Sequence, residues 1–327
     1  MTKMPQLNIV QTVSFTLRQE MLRDPAVLVL GEDVGKNGGV FRATEGLFNE
    51  FGDNRVIDTP LSESGIVGTA IGLALYGFRP VAEIQFDGFL YPALDQLISH
   101  AGRIRSRSRG RFHVPLVLRV PYGGGIRAPE HHSDSPEAFL AHTPGIKVVV
   151  PSNPYDTKGL LISAIKDPDP VIFLEPKRIY RAIRADVPED DYAVPLGKAK
   201  VAKEGKDVTV VSWGSMMRPV MEATESLQEK IDTEVIDLRT LTPLDEETVM
   251  RSVKKTGRVV VVHEAPKTCG LGAEIAASIN EKVFLSLEAP VERVTGFDVP
   301  FPLFKLENYY LPSVNRVTRA IERVADF

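Results

Sequence analysis

The chain has 327 residues, of which 43% are hydrophobic and 25% are charged, with a formal net charge of −4. A chain of this length can form two domains of roughly 100–200 residues each, and its composition excludes wholesale disorder. The slight acidic balance gives no electrostatic footprint for nucleic acid, so we expect no nucleic-acid partner.

Further classes are excluded by what the sequence lacks. Cys269 is the single cysteine, which excludes an intrachain disulfide framework and a zinc site built from several cysteines. No run of about 18 apolar residues occurs, so the sequence predicts no membrane span. The amino-terminal residues have neither the apolar centre of a signal peptide nor the Arg/Ser-rich character of a transit peptide. We therefore expect a cytoplasmic location.

The first predicted strand ends at polar residues. Before it, apolar residues spaced four apart predict an amphipathic helix from Ile9 to Met21. The continuous apolar run 27–30 is typical of a strand buried on both faces of a parallel sheet. Gly31 and Glu32 follow it, and open α/β sheets place ligands at the carboxyl ends of such strands.

The next strand-to-helix corner carries an isolated carboxyl group. The run 55–58 predicts a short strand, and an apolar pattern at helical spacing over 66–75 predicts a helix that ends at Gly77. Glu63 lies between them and is the only charged residue between that strand and Arg79. A carboxyl group that leads into a buried helix is partly withdrawn from water, which suits it to share a proton. The simpler interpretation is a carboxylate that interacts with the first-turn amides and the helix dipole.

Two adjacent histidines follow a glycine-rich loop. The flanking strands are predicted over 80–86, 115–120, 146–150 and 171–174, and the helices through 94–101 and 156–165. The three glycines 123–125 allow a close approach of the backbone or a simple turn. His131 and His132 make a weak metal pair, because no third ligand stands at a familiar spacing. From the local sequence alone, His132 suits either a functional or a structural role.

After the first half of the chain the alternation of predicted strands and helices stops, and it resumes further along. Three prolines, Pro176, Pro188 and Pro195, and a run of acidic residues predict a linker. Beyond it, strands are predicted at 208–211, 233–236, 258–262 and 291–295, and helices near 219–228, 245–255, 270–282 and 313–325. The sequence therefore predicts an α/β fold of two domains, 1–185 and 205–327, joined by a linker over 186–204. Both domains have mostly parallel sheets flanked by helices.

Several nucleotide and nucleophile motifs are absent from the sequence. The stretch that begins at Gly270 lacks the third small residue of the dinucleotide fingerprint and does not directly follow a strand. Neither the phosphate-binding Gly-x-x-x-x-Gly-Lys-Ser/Thr nor the Gly-x-Ser-x-Gly nucleophile elbow occurs. Gly-Asp-Gly, which begins the motif that holds magnesium and the diphosphate in thiamine diphosphate enzymes, is also absent.

An ordered series of motifs resembles one family along nearly the whole chain. The motifs are Leu30-Gly-Glu-Asp-Val34, Asp58-Thr-Pro-Leu-Ser-Glu63, Ala82-Glu-Ile-Gln-Phe86, His132-Ser-Asp-Ser-Pro136, Pro144-Gly-Ile-Lys-Val-Val149, Phe173-Leu-Glu-Pro176, Asp237-Leu-Arg-Thr240 and Lys255-Thr-Gly-Arg258. With them the chain resembles the β subunit of the decarboxylating first component of 2-oxo acid dehydrogenase complexes.

This resemblance implies an active site shared between two chains. In that family the α subunit binds the diphosphate and magnesium of thiamine diphosphate and the β subunit holds the aminopyrimidine, which accounts for the missing Gly-Asp-Gly. The implied fold is a pyrimidine-binding domain followed by a transketolase-like carboxyl-terminal domain, in a heterotetramer of two α and two β subunits. The implied activity, shared with the α subunit, is oxidative decarboxylation of a 2-oxo acid and acylation of the lipoyl group of a dihydrolipoyl acyltransferase core.

The resemblance also implies roles for individual residues. Glu63 matches the glutamate that shares a proton with N1′ of the pyrimidine, and Phe89 matches the aromatic residue that packs against that ring. Leu61 and Glu32 are further implied cofactor contacts, Glu32 as a proton relay. His132 matches a histidine associated with the intermediate and with reductive acylation of the lipoyl group, so Glu63 and His132 are the implied catalytic residues.

Two peripheral sites are implied in the same way. Ala164, Asp167 and Asp169 fall where related β subunits place a structural potassium ion, although Asp169 stands where relatives carry asparagine. The carboxyl terminus of related β subunits docks the subunit-binding domain of the acyltransferase core. The resemblance therefore implies docking through Phe327, where the final Asp326-Phe327 carboxylate is an acidic partner for basic residues.

The substrate is less strongly indicated than the chemistry. Residues 37–46 and 130–135 look more like bacterial pyruvate enzymes, whereas 85–92 and 135–139 lean toward branched-chain enzymes. We expect pyruvate, with the branched-chain 2-oxo acid enzyme and the acetoin-cleaving enzyme as alternatives, because a pocket discriminates one methylene only modestly. Alternatives of a different class are a non-catalytic scaffold subunit and a self-sufficient enzyme of transketolase type.

Overall fold

The computed structural model describes residues 4–327 as two α/β domains. The strands of the first half are β1 (Gln6–Asn8), β2 (Val27–Gly31), β3 (Val56–Asp58), β4 (Arg79–Glu83), β5 (Val117–Tyr122), β6 (Lys147–Val149), β7 (Val171–Pro176) and β8 (Arg184–Asp186). Those of the second half are β9 (Lys200–Lys203), β10 (Val208–Ser212), β11 (Thr233–Asp237), β12 (Thr240–Thr242), β13 (Val259–Val262) and β14 (Glu292–Val294).

The helices alternate with these strands, as the sequence predicts. In the first half they are α1 (Ile9–Arg23), α2 (Leu47–Phe51), α3 (Glu63–Tyr76), α4 (Ile104–Arg107), α5 (Glu137–Ala141) and α6 (Pro154–Lys166). In the second half they are α7 (Met217–Leu227), α8 (Glu246–Thr256), α9 (Leu271–Val283), α10 (Glu307–Tyr310) and α11 (Val314–Ala325).

The larger sheet has seven strands in the order β12-β6-β7-β5-β4-β2-β3. Strands β2 to β7 pair in parallel, and β12 joins the edge antiparallel to β6. Every residue of β2 is buried, which confirms the prediction of a strand covered on both faces. The helices α1 and α6 pack together on one face, and α3 packs on the other.

The smaller sheet has five strands in the order β14-β13-β10-β11-β9, and only β9 runs antiparallel to its neighbour. One of its faces packs against α7 and α11. The other face contributes Val211, Val261 and Trp213 to a hydrophobic core that also contains Leu30 and Leu118 of the larger sheet. The two sheets therefore share one core, which fixes the second domain against the first.

Three features of the fold differ from the sequence prediction. The segment 94–101 is not a regular α-helix, because a 3-10 turn over Asp87–Ala93 leads into a π-helical turn over Gln96–Ala101. Strand β9 lies within the stretch predicted as linker and pairs with β11. Strand β12 comes from the second half of the chain but joins the first sheet. Both strands form because they pair with strands that are distant in sequence, and a local sequence pattern does not indicate such pairing.

A buried lysine fastens the segment between the domains. The ammonium group of Lys158, on α6, donates to the carbonyl oxygens of Pro188 at 2.5 Å, Glu189 at 3.2 Å and Asp190 at 3.0 Å. It also lies 5.2 Å from the centroid of the Tyr192 ring. One buried cation thus contacts three consecutive carbonyl groups of a segment that has no helix or strand.

We predict that Lys158→Met releases this segment. Hydrogen bonds to a charged group contribute roughly 1.5–3 kcal/mol each, so losing them should raise local opening by about tenfold or more. Limited proteolysis with an enzyme that cleaves after acidic residues should show faster cutting at Glu189 or Asp190. The control is Lys166→Met, whose half-exposed ammonium pairs only with Asp191 on the surface. Equal cleavage of the two variants would contradict the prediction.

Candidate active site

The switch point of the larger sheet lies between β2 and β4. The chain passes from β2 outward to β3 and then returns across β2 to β4, so the carboxyl ends of β2 and β4 open a crevice. Glu32 follows β2, and Gln85 lies just beyond β4. The side-chain amide of Gln85 donates to the carbonyl oxygen of Glu32 at 3.4 Å and joins the two strand ends.

The loop after β2 is held by the last residue of β3. Asp58 accepts hydrogen bonds from the backbone amides of Gly35 at 2.6 Å and Lys36 at 3.2 Å. A Cβ atom on Gly35 would lie 2.8 Å from Oδ2 of Asp58, so this approach requires glycine. The loop beside Glu32 is therefore fixed against the sheet.

Glu63 is the first residue of α3 and is half-buried. The side chain of Ser62 supplies the helix cap, because its hydroxyl accepts from the Gly65 amide at 3.4 Å. The N-cap role therefore belongs to Ser62, while Glu63 stays in the first turn, where its carboxylate also interacts favourably with the helix dipole.

Glu32 and Glu63 are brought together although they are distant in sequence. Burial raises the pKa of Glu32 above its ordinary value, and the carboxylates of Glu63 and Asp33 raise it further. A carboxyl group whose pKa is raised by a neighbouring carboxylate retains its proton more readily and can share it with that neighbour. This raised pKa is consistent with a relay at Glu32, and that role stays a prediction.

Four rings form an aromatic cluster, made of Phe41, Phe86, Phe89 and His132. The ring centroid of His132 lies 4.4 Å from that of Phe86 and 5.1 Å from that of Phe89. Phe41 lies 5.3 Å from Phe86 in an edge-to-face arrangement. Phe89 and His132, which the sequence suggested separately, are therefore neighbours, and such contacts stabilise a fixed ring orientation.

The tautomer of His132 follows from its hydrogen bond. Its Nδ1 lies 2.7 Å from the carbonyl oxygen of Glu130, and a carbonyl oxygen can only accept, so Nδ1 carries the proton. Nε2 is then the nitrogen that can take or give a proton. His131 points elsewhere, with a side chain that is 62% exposed.

A buried ion network lies beneath the crevice. Arg119 of β5 donates two hydrogen bonds to Glu175 of β7, at 2.6 and 2.9 Å, and one to Glu83 of β4 at 2.6 Å. The hydroxyl of Tyr180 donates to Glu175 as well. Burial disfavours the charge of Arg119, but Glu175 and Glu83 outweigh it and raise the pKa of Arg119 above its ordinary value. This network ties together the strands that present the site.

Sequence reasoning missed several members of the site. Phe41, Phe86 and Arg119 were not singled out, although Phe86 lies shortly beyond the carboxyl end of β4, where ligands bind in such sheets. Arg119 lies inside β5. Phe41 follows the Asn37–Gly39 loop and is not part of any helical or strand-like pattern of apolar residues. Its place in the cluster depends on how that loop folds.

Comparison with known families now assigns the chain. Residues 6–182 match the family described as "Transketolase, pyrimidine binding domain", and residues 197–317 match "Transketolase, C-terminal domain". The chain is 52% identical over 320 residues to the "Pyruvate dehydrogenase E1 component subunit beta" of Acholeplasma laidlawii, covering 98% of each chain. It is 51% identical over 325 residues to the protein of that name from Bacillus subtilis, covering 99% of this chain and 100% of the relative.

The chain belongs to the pyruvate dehydrogenase E1 β-subunit family. A solved structure titled "Split gene transketolase, inactive beta4 tetramer" has the same fold, with a TM-score of 0.79 at 23% identity, and the match covers 98% of this chain and 99% of the other. The predicted order of a pyrimidine-type domain and a transketolase-like domain is confirmed.

The remaining cofactor residues that the family resemblance suggested, Leu61 and Phe89, differ in how exposed they are. Leu61, in the loop that leads into α3, is 79% exposed, and Phe89 is half-buried. An exposed leucine two residues before Glu63 and a partly open aromatic ring suit an aminopyrimidine, which has apolar faces and a basic ring nitrogen. The side chains of Leu61, Glu63 and Phe89 therefore fit that part of thiamine diphosphate.

The residues suggested for potassium are already paired with side chains. Both carboxylate oxygens of Asp167 accept from the ammonium group of Lys147, at 2.7 and 2.6 Å. Asp169 accepts from Arg105 at 2.5 Å, and Ala164 lies in α6, where its carbonyl accepts from the Asp167 amide. The carboxylates of Asp167 and Asp169 are thus neutralised by side-chain cations, and the potassium site stays a prediction.

Other predictions concern the periphery of the molecule. Phe327 lies just beyond α11 and is 75% exposed, so its docking role stays a prediction. Among residues 4–327, the structure shows no cluster of three His, Cys, Asp or Glu residues that could hold a metal ion. Within the same residues, no helix has the length and apolar character needed to cross a membrane.

Proposed function

We propose that this chain is the β subunit of pyruvate dehydrogenase, the acetyl-transferring first component of the complex. The observation that carries the proposal is the pair Glu32 and Glu63 at the switch point, combined with full-length relatives of about half identical sequence that bear this name. The alternative of a non-catalytic scaffold accounts for neither the proximity of the two acids nor the ring cluster that contains His132.

The proposed cofactor is thiamine diphosphate, held with magnesium by an α subunit. When bound, it supplies the carbon nucleophile and the electron sink that decarboxylation of a 2-oxo acid needs. Glu63 would hold a proton at N1′ of the pyrimidine, and Glu32 would exchange that proton with Glu63. Leu61 and Phe89 would orient the ring and exclude water from it. Because this chain supplies one side of the cofactor, we propose a heterotetramer of two α and two β subunits.

His132 would act in the transfer to the lipoyl group. In the overall step, pyruvate loses carbon dioxide and the released electron pair breaks the disulfide of the oxidised lipoyl ring. One sulfur then takes the acetyl group and the other takes a proton. Nε2 of His132 would first take up a proton from solvent and then give it to that sulfur, since Nδ1 is engaged with the Glu130 carbonyl. The lipoyl group belongs to the proposed acyltransferase core, for which Phe327 stays the predicted docking residue.

We predict a preference for pyruvate in the assembled enzyme. This chain would be co-expressed with its α subunit, and thiamine-dependent decarboxylation of pyruvate and of 3-methyl-2-oxobutanoate would be compared by kcat/KM. A pocket shaped for one methyl group should favour pyruvate by about tenfold or more, since misplaced methylenes cost roughly 1–3 kcal/mol. Omission of thiamine diphosphate is the control and should abolish both reactions.

The other outcomes separate the alternatives. Preference for 3-methyl-2-oxobutanoate would keep the roles of Glu63 and His132 and assign the chain to branched-chain catabolism. Activity of this chain without the α subunit would instead indicate a self-sufficient enzyme of transketolase type. A well-formed tetramer that binds the cofactor but turns over neither acid would refute the proposed function.

A further inference from the structure

The loop that carries His132 lies directly on the turn that carries Phe89. We call residues 130–134 the histidine loop. A Cβ atom on Gly88 would lie 2.1 Å from the carbonyl oxygen of His131, so the backbone of the loop touches the backbone of the turn. His131 has a φ of 62°, a left-handed conformation that is unfavourable outside glycine. The loop therefore needs contacts that hold it in this shape.

A single buried ammonium group supplies those contacts. Nζ of Lys177 lies 2.7 Å from the carbonyl oxygen of His132, 3.0 Å from Oδ1 of Asp87 and 3.4 Å from the carbonyl oxygen of Pro121. An ammonium group has three protons, and here three acceptors from three different segments receive them. Nζ also lies 5.4 Å from the centroid of the Phe86 ring, within range of a cation–π contact.

The anionic partner of Lys177 is equally fixed. Asp87 accepts from the amide of Gly123 at 3.0 Å and from that of Gly88 at 3.1 Å. The side chains of Asp87 and Lys177 are both 0% exposed. The pair therefore joins the end of β5, the Phe89 turn and the histidine loop, away from water, where a charge-assisted contact tolerates little movement.

We infer that Lys177 is a positioning residue for His132. Its ammonium group fixes the His132 carbonyl and the Phe86 ring at once, and so it sets the direction in which Nε2 of His132 faces the lipoyl group. This inference rests on the proposed function, because it assigns Lys177 to the acylation step rather than to decarboxylation. Displacement of a reacting group by 1 Å can cost about 100-fold in rate, so the contact has consequences for activity.

The test separates the two half-reactions in the assembled enzyme. Decarboxylation of pyruvate is followed with an artificial electron acceptor, and acetylation is followed on an isolated lipoyl domain. Lys177→Met should lower acetylation by about 10- to 100-fold more than it lowers decarboxylation. In the double variant with His132→Ala, Lys177→Met should cause no further loss, because both changes remove the same function. Lys177→Arg, which keeps the charge, should recover part of the activity.

A second variant and a matched control support the comparison. Gly88→Ala adds a methyl group that would meet the His131 carbonyl, while both side chains of the ion pair stay in place. It should cause the same selective loss even if Lys177→Met does not fold. Lys158→Met removes a buried lysine that also donates to three backbone carbonyls, but at the interdomain segment. It should leave the ratio of the two half-reactions unchanged.

Each unfavourable result has its own meaning. Equal loss of both half-reactions in Lys177→Met and Gly88→Ala, or losses that multiply with those of His132→Ala, would overturn the positioning role alone. A wild-type tetramer that binds thiamine diphosphate but performs neither half-reaction would overturn the proposed function and this inference together.

Discussion

Replacement of Glu63 by glutamine is expected to lower kcat of the assembled enzyme by about 10²- to 10⁴-fold, the usual contribution of a positioned acid–base group. Glutamine keeps the size of the side chain and can still form a hydrogen bond, but it cannot hold and release a proton. Because Ser62 caps α3, the helix should still form and the tetramer should still assemble. The measurement is steady-state decarboxylation of pyruvate, with assembly checked by size-exclusion chromatography.

A second helix in the same chain provides the control. Glu246 is the first residue of α8, as Glu63 is of α3. Both glutamates are half-buried, and each directly follows the residue that caps its helix. Glu246→Gln removes the same favourable interaction with a helix dipole, worth about 0.3–1 kcal/mol of stability, and lies away from the crevice. It also removes a half-exposed ion pair with Lys282, which contributes at most about 1 kcal/mol. If Glu63 served only its helix, the two variants would behave alike and both would retain activity. That result would also favour the scaffold alternative.

Elements with a local signal were predictable from the sequence. The four apolar residues of β2 and the apolar periodicity that leads from Glu63 to Gly77 give strand and helix within a few residues of their observed ends. The carboxyl end of β2 and the amino end of α3 were therefore also predictable as the place of the site. Local chemistry suggested Glu63 and Glu32, and their proximity follows once the strand order is known.

Other parts of the site depend on contacts that no local pattern reports. Lys177 and Asp87 are 90 residues apart, and their ion pair exists only because β4, β5 and β7 end side by side. The π-helical turn Gln96–Ala101 carries apolar residues that also suit an α-helix, so periodicity could not distinguish the two. The local sequence of β12 likewise does not indicate its partner, because β12 comes from the second half of the chain and pairs with β6 of the first sheet.

The largest expected loss of stability follows from Arg119→Met. Methionine fills much of the volume but leaves the carboxylates of Glu83 and Glu175 buried without their cation, at 3% and 0% side-chain exposure. Breaking a buried ion pair from one side costs about 3–5 kcal/mol. For a domain of this size that corresponds to a decrease of roughly 6–20 °C in the unfolding temperature. Calorimetry of the assembled protein would measure it, with the fluorescence of the single tryptophan, Trp213, as a second signal.

We attribute the loss of stability in Arg119→Met to the burial of the ion pair rather than to its hydrogen-bond geometry. A solvent-exposed ion pair of similar geometry in the same chain tests this explanation. Arg18 holds Glu50 with two hydrogen bonds of 2.6 and 2.7 Å, which matches the bidentate contact of Arg119, but its side chain is 51% exposed. Arg18→Met should therefore cost at most about 1 kcal/mol, because water replaces the lost partner. Replacing Glu83 and Glu175 by glutamine in the Arg119→Met background should recover part of the stability, since the uncompensated charges are then gone. If instead both single variants lost similar stability, the hydrogen bonds themselves would be the cause, and the buried network would not be what holds β4, β5 and β7 in register beneath the site.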